Sequence, residues 1–383
     1  MHRNRRSRTA TRVILATSLA LAALGAVAGK GRTVIPIHDE AGLYAAVARP
    51  ANAGALLVLD PRTYYLDSRG PLALQADMGL QGVSGDAGAA IIDASGLPAA
   101  SFVSETGAPT GAIRVGRGSN SVEWLTVQNT GNGASAINTD LTGDDSPRVR
   151  VAYVVARAGQ RGLDARNLNA PNRRLNLEVV GNQFVDNTAK MGQGLRLVNS
   201  GSPGARIQAR LSNNVLSGNV AGALVSNLGS SDAGIDVQSE NDRFDGNANG
   251  CIILGGLAAA GSVAQDNAVS FDARGDSFRG NGRPLPATFP QAGGLLVIAG
   301  QVQGANARSA GNTVRVDLHD AEWGDNQGWD LQVWGAQSPG PDIAGTENEA
   351  TVRLHADAAR AWTTERPSDP PEPAGTNTAS IAR

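Results

Sequence analysis

The chain repeats a short apolar centre that is flanked by polar residues at fixed distances. Three stretches show the pattern: "GNQFVDN" at 181–187, "NDRFDGN" at 241–247 and "GDSFRGN" at 275–281. The centres that are followed three residues later by Asn are Phe184, Leu216, Phe244, Phe278 and Trp323. Their spacings of 28 to 45 residues predict a repeat architecture in which successive units stack. Val127 and Val155 extend the series upstream, without the following Asn.

A polar residue stands two positions before most of these centres. The series is Asn182, Asn214, Asp242 and Asp276, and Ala321 breaks it. Short polar side chains tolerate left-handed backbone geometry and bond neighbouring main-chain groups. We therefore expect these residues to occupy tight bends and to bond the next unit of the stack.

A second series of residues, all Gly, opens short segments in which apolar positions alternate. Its members are Gly133, Gly162, Gly194, Gly222, Gly250, Gly294 and Gly328. Alternation with a period of two indicates strands and excludes helical repeats, which carry a stripe with a period of 3.6. Each unit is then a coil of three short strands that pairs with the coils above and below at about 4.8 Å. This predicts an all-β fold, a parallel β-helix.

The combined motif, N-x-F-x-x-N followed by a Gly-opened strand, resembles the right-handed parallel β-helix proteins of the pectate lyase-like superfamily, which have the pectin lyase fold. The resemblance spans residues 33–357 and implies that a helix plugs the N-terminal end of the core. The stretch "HDEAGLYAAVA" fits such a capping helix, with Asp39 as its N-cap. Because this fold hosts lyases, hydrolases, esterases, epimerases, adhesins and inert modules, the resemblance does not imply one activity.

Three segments of the chain have different compositions. Residues 1–28 combine five Arg, a short apolar run and an Ala-x-Ala exit, which is typical of a secretory signal peptide. Residues 29–360 form the predicted β-helix domain, in which 29–100 supply the N-terminal cap and first coils. The Pro-rich, polar residues 361–383 are predicted to be disordered. We therefore expect a secreted or periplasmic monomer whose mature chain does not span a membrane.

Charge and cysteine content narrow the possible functions. The predicted signal peptide holds five of the 33 Lys and Arg and none of the 35 Asp and Glu, so the remaining chain has a formal net charge of −7. This argues against nucleic acid as a partner, because nucleic-acid binders present a basic face. Cys251 is the one cysteine of the chain, and its apolar setting predicts a buried thiol.

The register of the Gly-opened strands predicts which side chains point outward together. One predicted column is Ser135, Asp164, Arg196, Leu224, Ile252, Leu296 and Asp330. The neighbouring column is Ile137, Arg166, Val198, Ser226, Leu254, Ile298 and Gln332. The first coils thus present charged residues, whereas the middle coils present an apolar stripe. Such a stripe marks a contact, either with the chain's own loop at 283–292, which we expect, or with a partner.

In the superfamily that the chain resembles, active sites lie on this outward face. The resemblance implies a carboxylate–arginine site for an acidic sugar, with Asp164, Arg166 and Arg196 as the catalytic candidates. Asp140, at a strand exit, and Trp334, which could stack on a sugar ring, are candidate substrate-binding residues. The alternative is an ordinary ion pair between adjacent coils, which contributes about 0–1 kcal/mol.

The sequence leaves the presence of catalysis open. If the protein is an enzyme, the resemblance implies a polysaccharide lyase, with calcium as a possible cofactor, or a glycoside hydrolase. The pectate lyase patterns "DH" and "RxPxxR" are absent, and the His residues show no metal-ligand spacing. The function expected is an exported β-helix that binds or acts on extracellular polysaccharide. The alternative is a non-catalytic surface or structural β-helix.

Overall fold

Three long parallel sheets run side by side, and successive turns of the chain add a strand to each, which builds a right-handed parallel β-helix. The computed structural model describes residues 32–101, 110–131, 134–139, 141, 146–189, 191–282, 293–337, 345–355 and 377–382. The β-helix predicted from the repeats is therefore confirmed.

The strands are grouped here by sheet, in chain order. Sheet A contains Val34–Ile37, Leu56–Leu59, Gly79–Gln81, Ser119–Glu123, Arg148–Ala152, Arg174–Val180, Arg206–Ser212, Gly234–Glu240, Ala268–Arg274, Thr313–His319, Glu349–His355 and Thr378–Ala382. Sheet B contains Thr63–Tyr65, Ile91–Asp93, Thr126–Gln128, Val155–Arg157, Gln183–Val185, Val215–Ser217, Arg243–Asp245, Ser277–Arg279 and Glu322–Gly324. Sheet C contains Leu72–Ala73, Gly111–Arg114, Ser135–Asn138, Arg161–Leu168, Gln193–Ser200, Ala221–Leu228, Asn249–Ala259, Gly293–Gln303 and Trp329–Gln337. A small fourth sheet contains Val263–Gln265, Arg308–Ala310 and Gly345–Thr346.

The N-terminal end of the core is covered by the predicted helix. It extends over Glu40–Ala48, and the Asp39 side chain accepts a hydrogen bond from the Gly42 N–H at 2.7 Å, as expected for an N-cap. Leu43 and Val47 are buried against the first coils. Two short 3-10 helices, Pro50–Asn52 and Ala99–Ser101, lie in the connections.

The apolar centres of the repeat stack inside the helix. Phe184, Leu216, Phe244, Phe278 and Trp323 pair residue by residue along sheet B. The rings of Phe244 and Phe278 are parallel at 4.9 Å, and those of Phe278 and Trp323 at 4.8 Å. Of the two upstream members predicted for this series, Val127 was correct and Val155 was wrong by one residue. Ala156 pairs with both Val127 and Phe184, whereas Val155 points away from the core.

The Asn residues of the repeat form ladders of buried amides that bond one coil to the next. In one ladder, Oδ1 of Asn219 accepts hydrogen bonds from the backbone N–H and the side-chain amide of Asn187, at 3.0 and 3.1 Å. In another, Oδ1 of Asn214 accepts in the same way from Asn182, at 3.0 and 2.9 Å. The predicted bonding of Asn182 and Asn214 to neighbouring coils is confirmed.

The residues that adopt the left-handed backbone conformation, with positive φ, at the bends are not the ladder residues themselves. They are the residues immediately before them, such as Gly181 with φ 64° and Asn213 with φ 56°. The ladder residue instead begins the next straight segment with its side chain turned inward. The proposed link between Asn182 and left-handed geometry was therefore wrong by one position.

Five of the seven Gly residues of the second series lie in sheet C, as predicted. Gly162, Gly194, Gly222, Gly250 and Gly294 are each the second residue of a strand. A Cβ on these residues would meet the main chain or the core of the adjacent coil at 2.4 to 2.7 Å, which explains why Gly recurs there.

The two ends of this series depart from the prediction. Gly328 precedes its strand, and Asp330 takes the place of Gly294, because three residues lie between Asn326 and this position, whereas two lie between the ladder Asn and Gly222 or Gly250. Gly133 lies outside the described residues. In that coil Ala136 stands at the position of Gly162.

The C-terminal segment is in part ordered. Thr378–Ala382 pairs in parallel with Glu349–His355, so the prediction of disorder was wrong for these residues. The Asn377 side chain accepts a hydrogen bond from the Asn348 amide at 2.9 Å and continues an amide ladder, which helps to hold the C-terminal strand against Glu349–His355. Residues 1–28 and 361–376 lie outside the described residues. Within the described chain, no helix has the length and apolar character needed to cross a membrane.

Replacing Phe184 by Ala should lower the free energy of unfolding by about 3–5 kcal/mol, because the ring is fully buried and stacks between coils. The next residue, Val185, is only partly buried, and Val185→Ala is the matched control, with an expected cost below about 1 kcal/mol. Equilibrium urea unfolding measures both. Equal, small costs would show that the aromatic ladder is not the core.

Candidate functional site

The outward face of sheet C places the predicted charged residues in adjacent coils. Asn138, Asp164, Arg196 and Leu224 are successive partners in one column. This column continues through Ile252, Leu296 and Gln332. The neighbouring column is Arg166, Val198, Ser226, Leu254, Ile298 and Trp334. The end members predicted for these columns, Ser135, Asp330, Ile137 and Gln332, were wrong, because the end coils differ in length from the middle ones.

Three arginines surround the Asp164 carboxylate. The Nη1 atoms of Arg166 and Arg196 lie 3.6 Å from Asp164 Oδ2, and that of Arg161 lies 3.7 Å from it. These distances exceed those of hydrogen bonds, so the guanidinium groups are held by charge and not by bidentate pairing. Asn138 donates a hydrogen bond to the same oxygen at 3.3 Å. The structure therefore brings Asp164, Arg166 and Arg196 together as predicted.

The Asp164 carboxylate is more enclosed than predicted. Although it is on the outward face, its side chain has no exposed surface, whereas the side chains of Arg161 and Arg196 are 14% and 16% exposed. A ligand that reaches this cluster would contact the arginines and not the carboxylate. Asp164 is therefore placed to act as a counter-ion.

The protonation of the cluster follows from burial and charge. Burial by itself raises the pKa of Asp164, but Arg196, Arg166, Arg161 and the Asn138 hydrogen bond outweigh burial and hold that pKa below its ordinary value. Asp164 is thus ionised and unsuited to act as a general acid. Burial also lowers the pKa of Arg161 to about 10, and the neighbouring Arg196 and Arg166 reinforce this while Asp164 opposes it.

Arg161 was missed in the sequence because the strand does not alternate strictly at its start. Leu163 and Ala165 point inward, so simple alternation places Arg161 inward as well. Gly162 breaks the alternation, since it lies directly against the Phe184 ring and a Cβ there would approach that ring to 2.6 Å. Arg161 then turns outward, where its Nε donates to Gln193 Oε1 at 2.9 Å.

The loop after Asn138 supports the cluster from one side. Thr139 Oγ1 accepts a hydrogen bond from the Arg166 N–H at 2.8 Å and donates to the Arg166 carbonyl at 3.1 Å. This holds the Arg166 backbone against the preceding coil. Asp140, the other predicted substrate-binding residue, lies outside the described residues.

The predicted apolar stripe exists, but it is buried. Ile252, Leu254, Leu296, Ile298 and Trp334 form one cluster on the outer side of sheet C. Trp334 is only 6% exposed, so its ring is not open to a sugar and it has no part in the proposed binding surface. The loop expected to cover the stripe, at 283–292, lies outside the described residues.

The residues around Asp164 do not fit calcium. Calcium binds about six to eight oxygen ligands and favours several carboxylates, whereas here three cationic side chains surround one carboxylate. In the rest of the described chain, no three His, Cys, Asp or Glu residues are grouped in a way that could hold a metal ion. We therefore derive no calcium-dependent step.

No known family description and no curated protein sequence matches the chain. Among solved structures, it is similar to the A-module of mannuronan C-5 epimerase AlgE4 of Azotobacter vinelandii, with 15% identity over 88% of this chain and 91% of that one and a TM-score of 0.39. The AlgE6 A-module of the same organism gives 15% identity, 85% and 87% coverage and a TM-score of 0.34. Tailspike protein 3 of bacteriophage CBA120 gives 10% identity, 85% and 56% coverage and a TM-score of 0.30.

At these identities and TM-scores, the similarities carry no information on activity. They are with right-handed parallel β-helix proteins, the fold that this chain has. The chain's own parallel sheets confirm the resemblance described under Sequence analysis as far as this fold. The narrower pectate lyase-like assignment stays a prediction.

Replacing Asp164 by Asn should lower the free energy of unfolding by about 3 kcal/mol, because the buried arginines would lose their shared counter-ion. The lowered pKa of Asp164 means that its stabilisation is present at neutral pH and is lost as the pH falls through its folded-state pKa. Glu322→Gln, in a pair with Arg279 in which both side chains are exposed, is the control and should cost less than about 1 kcal/mol. If Asp164→Asn costs no more than this control in urea unfolding, the cluster is an ordinary surface pair.

Proposed function

We propose that this protein is an exported β-helix that binds an anionic polysaccharide through the arginine cluster on sheet C. The observation that supports the proposal is the state of Arg196. Within the described part of the chain, its guanidinium group is paired with Asp164 at 3.6 Å and makes no side-chain hydrogen bond. Its donors are therefore available to an incoming anion, and part of the side chain reaches the surface.

The geometry favours a carboxylated sugar as the ligand. A guanidinium group is planar and presents paired N–H donors that match a carboxylate. The guanidinium groups of Arg161 and Arg196 both pair with the same oxygen of Asp164, so one carboxylate is the counter-ion of both. A uronate carboxyl that approaches this face would supply a second acceptor to Arg196, which pairs only with Asp164 among the described residues, whereas Arg161 also donates to Gln193.

Binding is better supported than catalysis by Asp164. A catalytic acid or base must reach the atoms that react, and Asp164 is completely enclosed by its neighbours. The three residues predicted to be catalytic have other roles in this proposal. Asp164 is the counter-ion, Arg196 contacts the ligand, and Arg166 stabilises the site. Export and an extracellular substrate rest on the predicted signal peptide at residues 1–28.

One observation favours the structural alternative for the middle coils. Their outward face on sheet C is the buried apolar cluster that contains Ile252 and Ile298, which offers no polar group to a sugar. We therefore place the proposed ligand on the coils that carry Arg161 and Arg196 and not along the whole face.

Binding to polygalacturonate and to mannuronan, measured by titration calorimetry, tests the proposal. Arg196→Ala should weaken binding about 10- to 100-fold, because one charge-assisted contact is lost. The matched control is Arg210→Ala, an exposed arginine on sheet A, which should bind like the wild type. Dextran, an uncharged glucan, should not bind.

The outcomes separate the alternatives. No binding of either polyuronate by the wild-type protein would contradict the proposal and favour a structural β-helix. Equal losses in Arg196→Ala and Arg210→Ala would show diffuse attraction instead of a site. Ultraviolet absorbance of unsaturated uronides, followed with and without added calcium, reports whether a lyase activity accompanies binding.

A further inference from the structure

One amide ladder changes into a pair of carboxylates in the interior of the helix. Asn182 and Asn214 are followed at the next two positions by Asp242 and Asp276, and both Asp side chains are fully buried. At the Asn positions the side chain also donates to a main-chain carbonyl, as Asn214 does to Val179 at 2.9 Å. An ionised carboxylate has no hydrogen to donate, so the two Asp residues need another arrangement.

Ser239 provides that arrangement. Its Oγ lies 2.7 Å from Asp242 Oδ2 and 2.5 Å from Asp276 Oδ2. The other oxygen of Asp276 accepts a hydrogen bond from the Asp242 N–H at 2.9 Å. The neighbours of Ser239 in its column of sheet A are Leu211 and Ala273, so a hydroxyl replaces an apolar side chain at the position that faces both carboxyls.

Counting hydrogens shows that one carboxyl is protonated. A serine hydroxyl has one hydrogen and can donate to one of the two carboxyl oxygens. The second oxygen, at hydrogen-bond distance from the same Oγ, needs a hydrogen that comes from the carboxyl itself. We propose that the folded protein holds one proton on the Asp242–Asp276 pair at neutral pH and loses stability when that proton dissociates.

The electrostatics of the pair agree with this assignment. Burial and the charge of Asp242 raise the pKa of Asp276 to about 8. Burial raises the pKa of Asp242 to about 6, against the hydrogen bonds from Asn214 and Ser239. The pair titrates as a unit, and the proton belongs to the pair.

None of the groups that most strongly affect these two pKa values carries a positive charge. From sheet A, the carboxylate of Glu240 raises both pKa values further. From sheet C, the Cys251 thiol is kept neutral because burial raises its pKa. Ala321, at the next position of the series, is apolar and buried. The interior around the pair therefore favours the protonated form.

The direction of the pH effect follows from these values. Both folded-state pKa values are above the value of about 4 for an unfolded Asp. The stabilisation is therefore fully present below about pH 4 and is lost as the pH rises from there to about 8, where the last proton of the pair dissociates. This makes the coils around Asp242 and Asp276 the alkali-sensitive part of the stack.

Urea unfolding between pH 5 and 9 tests the proposal with three proteins: the wild type, Asp276→Asn and Asp236→Asn. Between pH 6 and 8 the unfolding equilibrium constant of the wild type should rise by up to about tenfold per pH unit more than that of Asp276→Asn, which has no proton to lose at this position. Asp236→Asn removes an exposed carboxylate from the same strand as Ser239 and should keep the wild-type dependence. Parallel curves for the wild type and Asp276→Asn would overturn the proposal.

Infrared spectroscopy of the wild-type protein gives a second measurement that does not depend on a variant that folds. The carbonyl band of a buried, protonated carboxyl should be present at pH 6 and should be lost by pH 9. The absence of this band at pH 6 would overturn the proposal, and its persistence at pH 9 would show that deprotonation is not the cause of any loss of stability.

Discussion

The structure depends on how its corners satisfy buried main-chain N–H groups. These groups lie between the sheets, where no strand can pair with them, and an unsatisfied buried donor costs about 1–3 kcal/mol. An Asn side chain bonds the main chain at these corners in two ways, because its oxygen accepts from an N–H and its nitrogen donates to a carbonyl. Oδ1 of Asn219 accepts from the Asn187 N–H at 3.0 Å, and its Nδ2 donates to the Phe184 carbonyl at 2.9 Å. The N–H of Asn219 also donates to Oδ1 of Asn247 in the next coil at 2.9 Å. A ladder residue such as Asn219 therefore joins three coils, which explains the recurrence of Asn at intervals of about one coil.

The same ladders determine which side chains meet on the outside. Once the corners of adjacent coils are in register, Asp164 and Arg196 become partners although 32 residues separate them. The charged cluster on sheet C and the carboxyl pair inside the helix are two products of one repeat. The first arises where outward positions carry charge, and the second where the inward ladder replaces Asn by Asp.

Much of the fold could be predicted because its determinants are local and repeated. The apolar centre, the Asn three residues later and the Gly at the second position of the sheet C strand recur together in four successive coils, and Asp39 marks the start of the capping helix. The errors are at places where one coil differs from the next. The extra residue before Asp330 shifted the end of an outward column, and the bend at Gly162 concealed Arg161.

The candidate site could be predicted in composition but not in exposure. Alternation places Asp164 outward, yet only the assembled coils show that three arginines and Asn138 surround its carboxylate. The burial of Trp334 was likewise not predicted, because it packs in a cluster with Ile252, Leu296 and Ile298, whose side chains come from other coils. Sequence periodicity predicts whether a side chain points inward or outward, whereas the burial of that side chain depends on how all the coils pack together.

Backbone hydrogen exchange at the corners tests the account most directly. The amides of Asn187, Asn219 and Asn247 lie outside the strands, and each donates to the amide oxygen of the next ladder residue at 2.9 to 3.0 Å. If the ladders hold the coils together, these three amides should exchange as slowly as those of the flanking strands of sheets B and C. Exchange at the rate of exposed loop amides would show that the corners open freely, and would contradict the account.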